Sequence, residues 1–336
     1  MEIKASKQTI NYRKSDKIKQ AEQQIINTLK ERYCSLSNRS IKFSDYIDIS
    51  IENNRLNLHI ANKGEIFPVA QNMQTDGTAF EGWAISLKSW LPDEINAVTL
   101  TWDRPKEQNG HYNRFLYRVW RFYEMYEWFE FEDRTEDLEI FKLHFTGSRN
   151  NSGNKKPRMK EKDCEEQVEH YMVEDNQDIF KRKFNIESLN RHLPVGVKDK
   201  NGHSLFTGRN SAIDLWGIGT DSILNIFELK YIKEHGDSKN IKVGIISELL
   251  MYVNIINDMR KGIIRSPLNP ALVAEKELYN QIAKLNGVKG IFLTNELHPL
   301  LEHPEMSNIL NANRKNISFT FANYSWDTKK HKISFK

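Results

Sequence analysis

Residues 211–231, SAIDLWGIGTDSILNIFELKY, constrain this chain more than any other stretch. Residues 212–216 are β-prone, the GIGTDS segment that follows is turn chemistry, and residues 223–231 form a long apolar run. The pattern predicts two strands joined by a turn. The second is apolar on both faces, as expected of a strand in the middle of a sheet. Its far end nonetheless carries Glu228 and Lys230, which the two-residue alternation puts on the face of Leu224 and Ile226. Charges at the end of a buried strand cost on the order of several kcal/mol unless they are paired or hold a metal. Asp214 lies on the preceding strand, and a hairpin closed at the Gly-rich turn brings it alongside them. Two carboxylates and a lysine then converge at one rim of the sheet. Hard divalent cations take oxygen ligands, and Mg²⁺ usually combines one or two carboxylates with water and phosphate.

Asp214 followed by Glu228-Leu229-Lys230, 14 residues on, resembles the motif of the PD-(D/E)XK nuclease superfamily, an Asp on one strand and Glu-x-Lys on the next. A bare Glu-x-Lys carries nothing by itself: Glu2-Ile3-Lys4 repeats it with no apolar strand and no partner Asp. Ile213 stands before Asp214 where the superfamily weakly keeps a proline. The resemblance covers roughly residues 163–293. It implies a restriction-endonuclease-like αβββαβ core with a central mixed sheet, Mg²⁺ or Mn²⁺ as cofactor, and DNA as the partner. It further implies that Asp214, Glu228 and the Leu229 carbonyl hold the metal while Lys230 assists the attacking water. A competing reading is a plain hairpin whose terminal charges reach solvent or pair with each other.

The residues around the motif read helix, strand, strand, strand, helix, strand. A helix is expected from about residue 163 to about 180, with Cys164, Val168, Tyr171 and Met172 as its apolar face. At 100° per residue Glu165 falls on the flank of that face, whereas Glu166 points nearly opposite, into water. In the superfamily the first core helix often supplies another acid, a role the resemblance gives to Glu165 with Glu166 as fallback. Ordinary first-turn acids at the positive end of a helix dipole explain them equally well. Residues 192–197 are the first expected strand, and Arg209, near the start of the Asp214 strand, is a candidate phosphate contact. A helix follows over about residues 241–259, where Glu248 and Tyr252, four apart, share a face. This looks like the Gln-x-x-x-Tyr feature of the RecB-type and NucS-type branches, with Glu248 in place of Gln and free to salt-bridge Lys230 or Lys242. Residues 288–294 form the next buried strand, and 317–324 with 331–335 close the sheet.

The first half predicts a separate α+β domain over residues 1–146. It has a helix at 15–33 and a hairpin of strands 46–51 and 55–60 turning at Glu52-Asn53-Asn54, with further strands at 83–87 and 97–102. Residues 113–131, NRFLYRVWRFYEMYEWFEF, carry Phe115, Val119, Phe122 and Tyr126 at helical spacing beside Arg114, Arg118 and Arg121. The arginines are candidates for nucleic-acid binding, their row on phosphates and the aromatics near bases. The alternative is a core helix whose arginines are solvated or paired with Glu124 and Asp133. Residues 147–162, rich in Gly, Ser, Asn and basic residues, read as an exposed linker ahead of a second domain at 163–336.

At 336 residues the chain exceeds what one core usually holds. A net charge of +4 permits a polyanionic partner without demanding one. Two distant cysteines argue against a disulfide framework or a cysteine zinc site and suit a reducing cytosol. No apolar run approaches membrane-span length, so no membrane partner is expected and the expected compartment is the cytoplasm. A homodimer is the expected assembly. Phosphate-binding Gly-rich loops and His-Glu-x-x-His are absent from the sequence. Two rivals to a metal-dependent nuclease remain. One is a nuclease fold that binds nucleic acid or docks protein without cutting; the other makes the aromatic first domain the working part, binding a peptide or small ligand.

Overall fold

A computed structural model describes residues 14–62, 66–71, 76–106, 109–131, 142–147, 165–199, 202, 204–205, 212–232, 243–312 and 314–336. Arg209, Lys242, Asp133, Cys164 and nearly all of the expected 147–162 linker lie outside these residues.

The chain is mixed α/β. Its first half runs α1 (Asp16–Arg32), α2 (Cys34–Ser37), β1 (Ile47–Glu52), β2 (Arg55–Ile60), α3 (Phe80–Trp90), β3 (Ala97–Trp102), α4 (Gly110–Met125) and β4 (Phe129–Phe131). The Ser15 hydroxyl accepts the Ile18 amide at the start of α1, and Lys30 and Arg32 complement its last turn. Asn53 and Asn54 both take positive φ, 52° and 57°, as a two-residue hairpin turn requires. The four strands pair in chain order, β1 antiparallel to β2 and the rest parallel. One face carries Leu56, Leu58, Leu100 and Trp102 into the core, while Arg55, Asn57, His59, Thr99 and Thr101 stay half-exposed on the other.

Residues 83–87, expected as a strand, instead belong to α3. The WAISL alternation is accidental: Phe80, Trp83, Ala84, Leu87 and Trp90 recur at three and four, and nearly every α3 side chain is buried.

The second half runs β5 (His144–Phe145), α5 (Glu165–Glu174), α6 (Gln177–Phe184), β6 (Asn190–Pro194), β7 (Val197–Lys198), β8 (Ala212–Ile218), β9 (Ile223–Lys230), α7 (Gly244–Arg260), α8 (Val273–Ala283), β10 (Gly287–Thr294), α9 (Met306–Asn311), β11 (Ile317–Asp327) and β12 (Lys332–Phe335). Six of these strands form a mixed sheet in the order β12-β11-β10-β9-β8-β6, with β9, β10 and β11 mutually parallel and β8 antiparallel to its neighbours. The single helix expected over 163–180 breaks in two because Asn176 is spent elsewhere. Its side chain bonds the Tyr171 and His331 carbonyls and the Ile333 amide. The strand expected over 192–197 is likewise split, β6 joining the large sheet and β7 pairing with β5. Gly217 is a required glycine, since a Cβ there would stand 2.4 Å from the Ser188 carbonyl oxygen.

The two sheets share one core. One apolar cluster runs from Leu56 and Leu100 through α3 and α4 into α7 and on to Ile226 and Phe292. A Cβ on Gly82 of α3 would lie 2.3 Å from the Val243 carbonyl oxygen, so the two halves meet backbone to backbone there. A second cluster, with Val168, Met172, Phe180, Phe227 and Leu229, packs α5 and α6 on the opposite face of the six-stranded sheet. Among the described residues no helix is long and apolar enough to cross a membrane.

Candidate active site

The β8–β9 ladder pairs Leu215 with Phe227, which sets Asp214 level with Glu228. Asp214 Oδ2 accepts the Leu229 amide at 3.0 Å, so the acid reaches the backbone between Glu228 and Lys230. Lys230 Nζ lies 2.7 Å from Glu228 Oε1 and 3.2 Å from Glu248 Oε2. Glu228 is 3% exposed, as its place on a central strand demands. The α7 helix covers this face and presents Glu248, with Tyr252 one turn on. From the other side, Glu165 in the first turn of α5 accepts the Tyr231 amide at 3.0 Å, while Glu166 is exposed. Glu165 thus reaches the sheet edge and Glu166 does not.

The electrostatics are those of too many acids in one place. Burial, then repulsion by Glu169 and Glu165, pushes the Asp214 carboxyl up to about 7 against the pull of Lys230. Burial, then Asp214, raises the Glu228 carboxyl well above the usual carboxylate range. Burial raises Glu165 too, opposed mainly by Lys230. Burial pulls Lys230 down, but Glu228, then Glu248, Glu165 and Asp214 more than offset it and hold its ammonium well above the ordinary range. Tyr252 is held well above its ordinary range by burial and by Glu228.

Three residues at this site were not picked out by sequence. Glu169, 6% exposed, accepts Arg191 Nε at 2.7 Å and lies 3.0 Å from His192 Nε2. The signal for Glu169 was available, because it sits four residues after Glu165 on the same flank of α5. His192 had no such signal. The β6–β8 ladder pairs Arg191 with Leu215 and Leu193 with Ile213 but skips the step between them, where His192 would face Asp214. There His192 adopts φ 56°, a left-handed conformation uncommon for a residue with a Cβ. The Glu169 hydrogen bond, more than any other effect, raises its imidazole above the usual value. Arg191 Nη2 is buried with no hydrogen-bond partner among the described residues.

The arginine row of α4 divides. Arg114 is 6% exposed and bonded to His111 Nδ1 at 2.7 Å. Burial and Arg118 lower it to about 10, while the charges of Tyr252 and Glu248 on α7 pull it back up. Arg118 and Arg121 do not form a phosphate-facing row. Arg118 is locked to Glu81, both side chains 2% exposed, and Arg121 to Asp258 at 2.8 Å and to Glu124. The helix packs its apolar stripe into the core, and these two guanidinium groups are consumed at the seam with α3 and α7.

Asp214, Glu228, Glu165, Glu169 and Glu248 thus outnumber Lys230, Arg191 and Arg114. Among the described residues, no three His, Cys, Asp or Glu side chains are drawn together as a metal cage. The donor set is nonetheless all oxygen, and its acids are raised by burial first and then by one another, a combination that a hard divalent cation would relieve. No protein-family model, curated protein or solved structure matches the chain.

Proposed function

We propose that the chain is a Mg²⁺- or Mn²⁺-dependent nuclease that hydrolyses phosphodiester bonds of DNA, built on a restriction-endonuclease-like core of the PD-(D/E)XK type. The observation that carries this reading is the crowding of Asp214, Glu228, Glu165 and Glu248 around Lys230 at the end of one central strand. With α6, β7 and α8 counted as additions, the order α5–β6–β8–β9–α7–β10 is compatible with such a core.

Asp214 and Glu228, with the Leu229 carbonyl, would hold the cation. When bound, the cation acidifies water beside it and neutralises charge gathering on the phosphate oxygens. Lys230, kept protonated by its acidic neighbours, orients the attacking water and stabilises the developing negative charge. Glu248 fixes where the ammonium points, with Tyr252 one turn on in a supporting role, and Glu165 ties α5 to the strand end through the Tyr231 amide. Arg114 brings a cation from the first half of the chain toward the same phosphate.

The test is cleavage of plasmid DNA and of single- and double-stranded oligonucleotides with Mg²⁺ or Mn²⁺, comparing wild type with Asp214→Ala and Lys230→Ala. Metal-dependent cutting by the wild type and its loss in both variants is the expected outcome. Failure of the wild type to cut any of these substrates overturns the reading. It would favour a nuclease-fold module that binds nucleic acid or protein without cutting. One observation favours that second reading: Lys230 is already paired with two carboxylates and Asp214 with a backbone amide.

A further inference from the structure

Beyond the level of Lys230, β11 continues past β10, paired there only with β12. The parallel ladders put Lys230, Thr294 and Asn323 level with one another, so Trp326 stands three residues, or about 10 Å, further along. There it meets two rings from other elements. Tyr171 of α5 stacks on His331 at 3.8 Å and 17°, and Trp326 lies nearly parallel to His331, 13° at 5.9 Å. All three rings are half-buried, with surface left to contact something else. The turn that delivers His331 carries Lys329, Lys330 and Lys332, all exposed.

This ledge is built before anything binds. Asp327 accepts the Lys329 and Lys330 amides at 3.0 Å each, and Asn176 holds the His331 carbonyl at 2.9 Å and the Ile333 amide at 3.0 Å. His331 takes φ 51° to turn its ring onto Tyr171. Lysines on an edge strand also discourage edge-to-edge pairing, but that need does not account for parallel aromatic rings beside them. The ledge is tied to the site as well: Tyr324, two residues before Trp326, donates its hydroxyl to the Lys230 carbonyl at 3.3 Å.

We infer that the Tyr171–His331–Trp326 ledge and its three lysines bind the unpaired bases and backbone of a nucleic-acid strand running to the Lys230 site, so that the substrate is single-stranded or carries an unpaired end. The inference rests on the nuclease reading for its direction, but its own chemistry is independent of cutting. Stacking on a fixed aromatic platform is tolerant of base identity and needs a base free of its partner, whereas the lysines answer any polyanion.

The experiment is fluorescence anisotropy of a labelled oligothymidine of about 15 nucleotides, and of a duplex of the same length, in EDTA so that nothing is cut. Wild type is compared with Trp326→Ala, Trp326→Phe and the triple variant Lys329→Gln/Lys330→Gln/Lys332→Gln, each checked for folding by circular dichroism. Trp326→Ala is expected to weaken single-strand binding at least about fivefold, with Trp326→Phe within about twofold of wild type. The lysine variant, which changes only exposed side chains, is expected to flatten the slope of log affinity against log salt by about 2. Wild type binding duplex as tightly as the single strand overturns the inference, as do a Trp326→Ala variant and a lysine variant that both bind like wild type. The two readings fail separately. A wild type that binds the strand on this ledge but never cuts it loses only the nuclease, and one that cuts while the ledge variants bind normally loses only the ledge.

Discussion

Two buried polar clusters flank the same helix, and they differ in one respect. On one side of α7, Ser247 donates to Glu81 at 2.7 Å, and the two Glu81 oxygens receive Arg118 Nε and Nη2 along one guanidinium edge. One acid meets one base, and a hydroxyl completes the set. The next residue, Glu248, turned about 100° further round the helix, reaches a different cluster, where acids outnumber bases and Asp214, Glu228 and Glu165 are all pushed toward their neutral forms. The first arrangement is complete without help and fastens α3 and α4 to α7. The second is short of positive charge, a shortage that the proposed cation would make good and that a device for holding the fold would not carry.

The largest expected effect tests the complete cluster. Arg118→Ala strands the Glu81 carboxylate in the seam and should cost about 3–5 kcal/mol in urea unfolding, equally with and without Mg²⁺. A loss below about 1 kcal/mol would mean that the pair does not fasten the halves. At the overfilled cluster, Lys230→Ala should instead lower the cutting rate by about 10²–10³, the scale for removing one preorganised electrostatic stabiliser. If Arg118→Ala and Lys230→Ala give the same profile of stability and rate, the distinction between the clusters is void.

Asp214→Asn gives a smaller effect with a sign that only the overfilled cluster predicts. The folded pKa of about 7 lies above the ordinary 3.8, so the fold binds protons more tightly than the unfolded chain does. Its contribution to stability is complete below about pH 4 and is lost as pH rises toward and through 7. The asparagine stays neutral and keeps an oxygen for the Leu229 amide. In EDTA at pH 8 it should therefore be more stable than wild type by about 1–3 kcal/mol, and near pH 4 the gap should close. Mg²⁺ should reverse the order at pH 8, because only wild type gains fully from the cation. Thermal unfolding at the two pH values, with and without Mg²⁺, reads all of this; a gap independent of pH would place the Asp214 charge outside the cluster's imbalance.

How far the sequence reveals these clusters depends on whether their logic is local. Glu228 and Lys230 stand out because alternation along one strand exposes the conflict between an apolar run and its charged end. Glu165 separates from Glu166 because a helix has a fixed turn angle. Arg114, Arg118 and Arg121 share one stripe and look alike in sequence; Glu81 and Asp258, remote in the chain, decide which guanidinium groups are consumed. His192 was invisible for a similar reason, since its left-handed backbone and its bond to Glu169 depend on how α5 crosses β6. The α3 misreading has the opposite origin. Five residues of strand-like alternation sat inside a longer helical repeat, and a window that short cannot separate the two periods.

The smallest effect concerns Glu248, the residue standing where the Gln-x-x-x-Tyr feature that this helix resembles has glutamine. Glu248→Gln keeps an oxygen to accept from Lys230 and removes one of the acids that hold the ammonium charged. Glu228 acts on Lys230 more strongly than Glu248 does and remains in place, so the lysine stays protonated at neutral pH. The fold also loses one repulsive charge. Stability in EDTA should rise by less than about 1 kcal/mol, and the cutting rate should fall by no more than about tenfold, both far milder than for Lys230→Ala. Side-by-side measurement of the two variants sharpens the contrast between the clusters. A rate loss as large as that of Lys230→Ala would mean that the Glu248 carboxylate meets the cation or the phosphate itself, and the excess acid would then be distributed across α7 as well as β8 and β9.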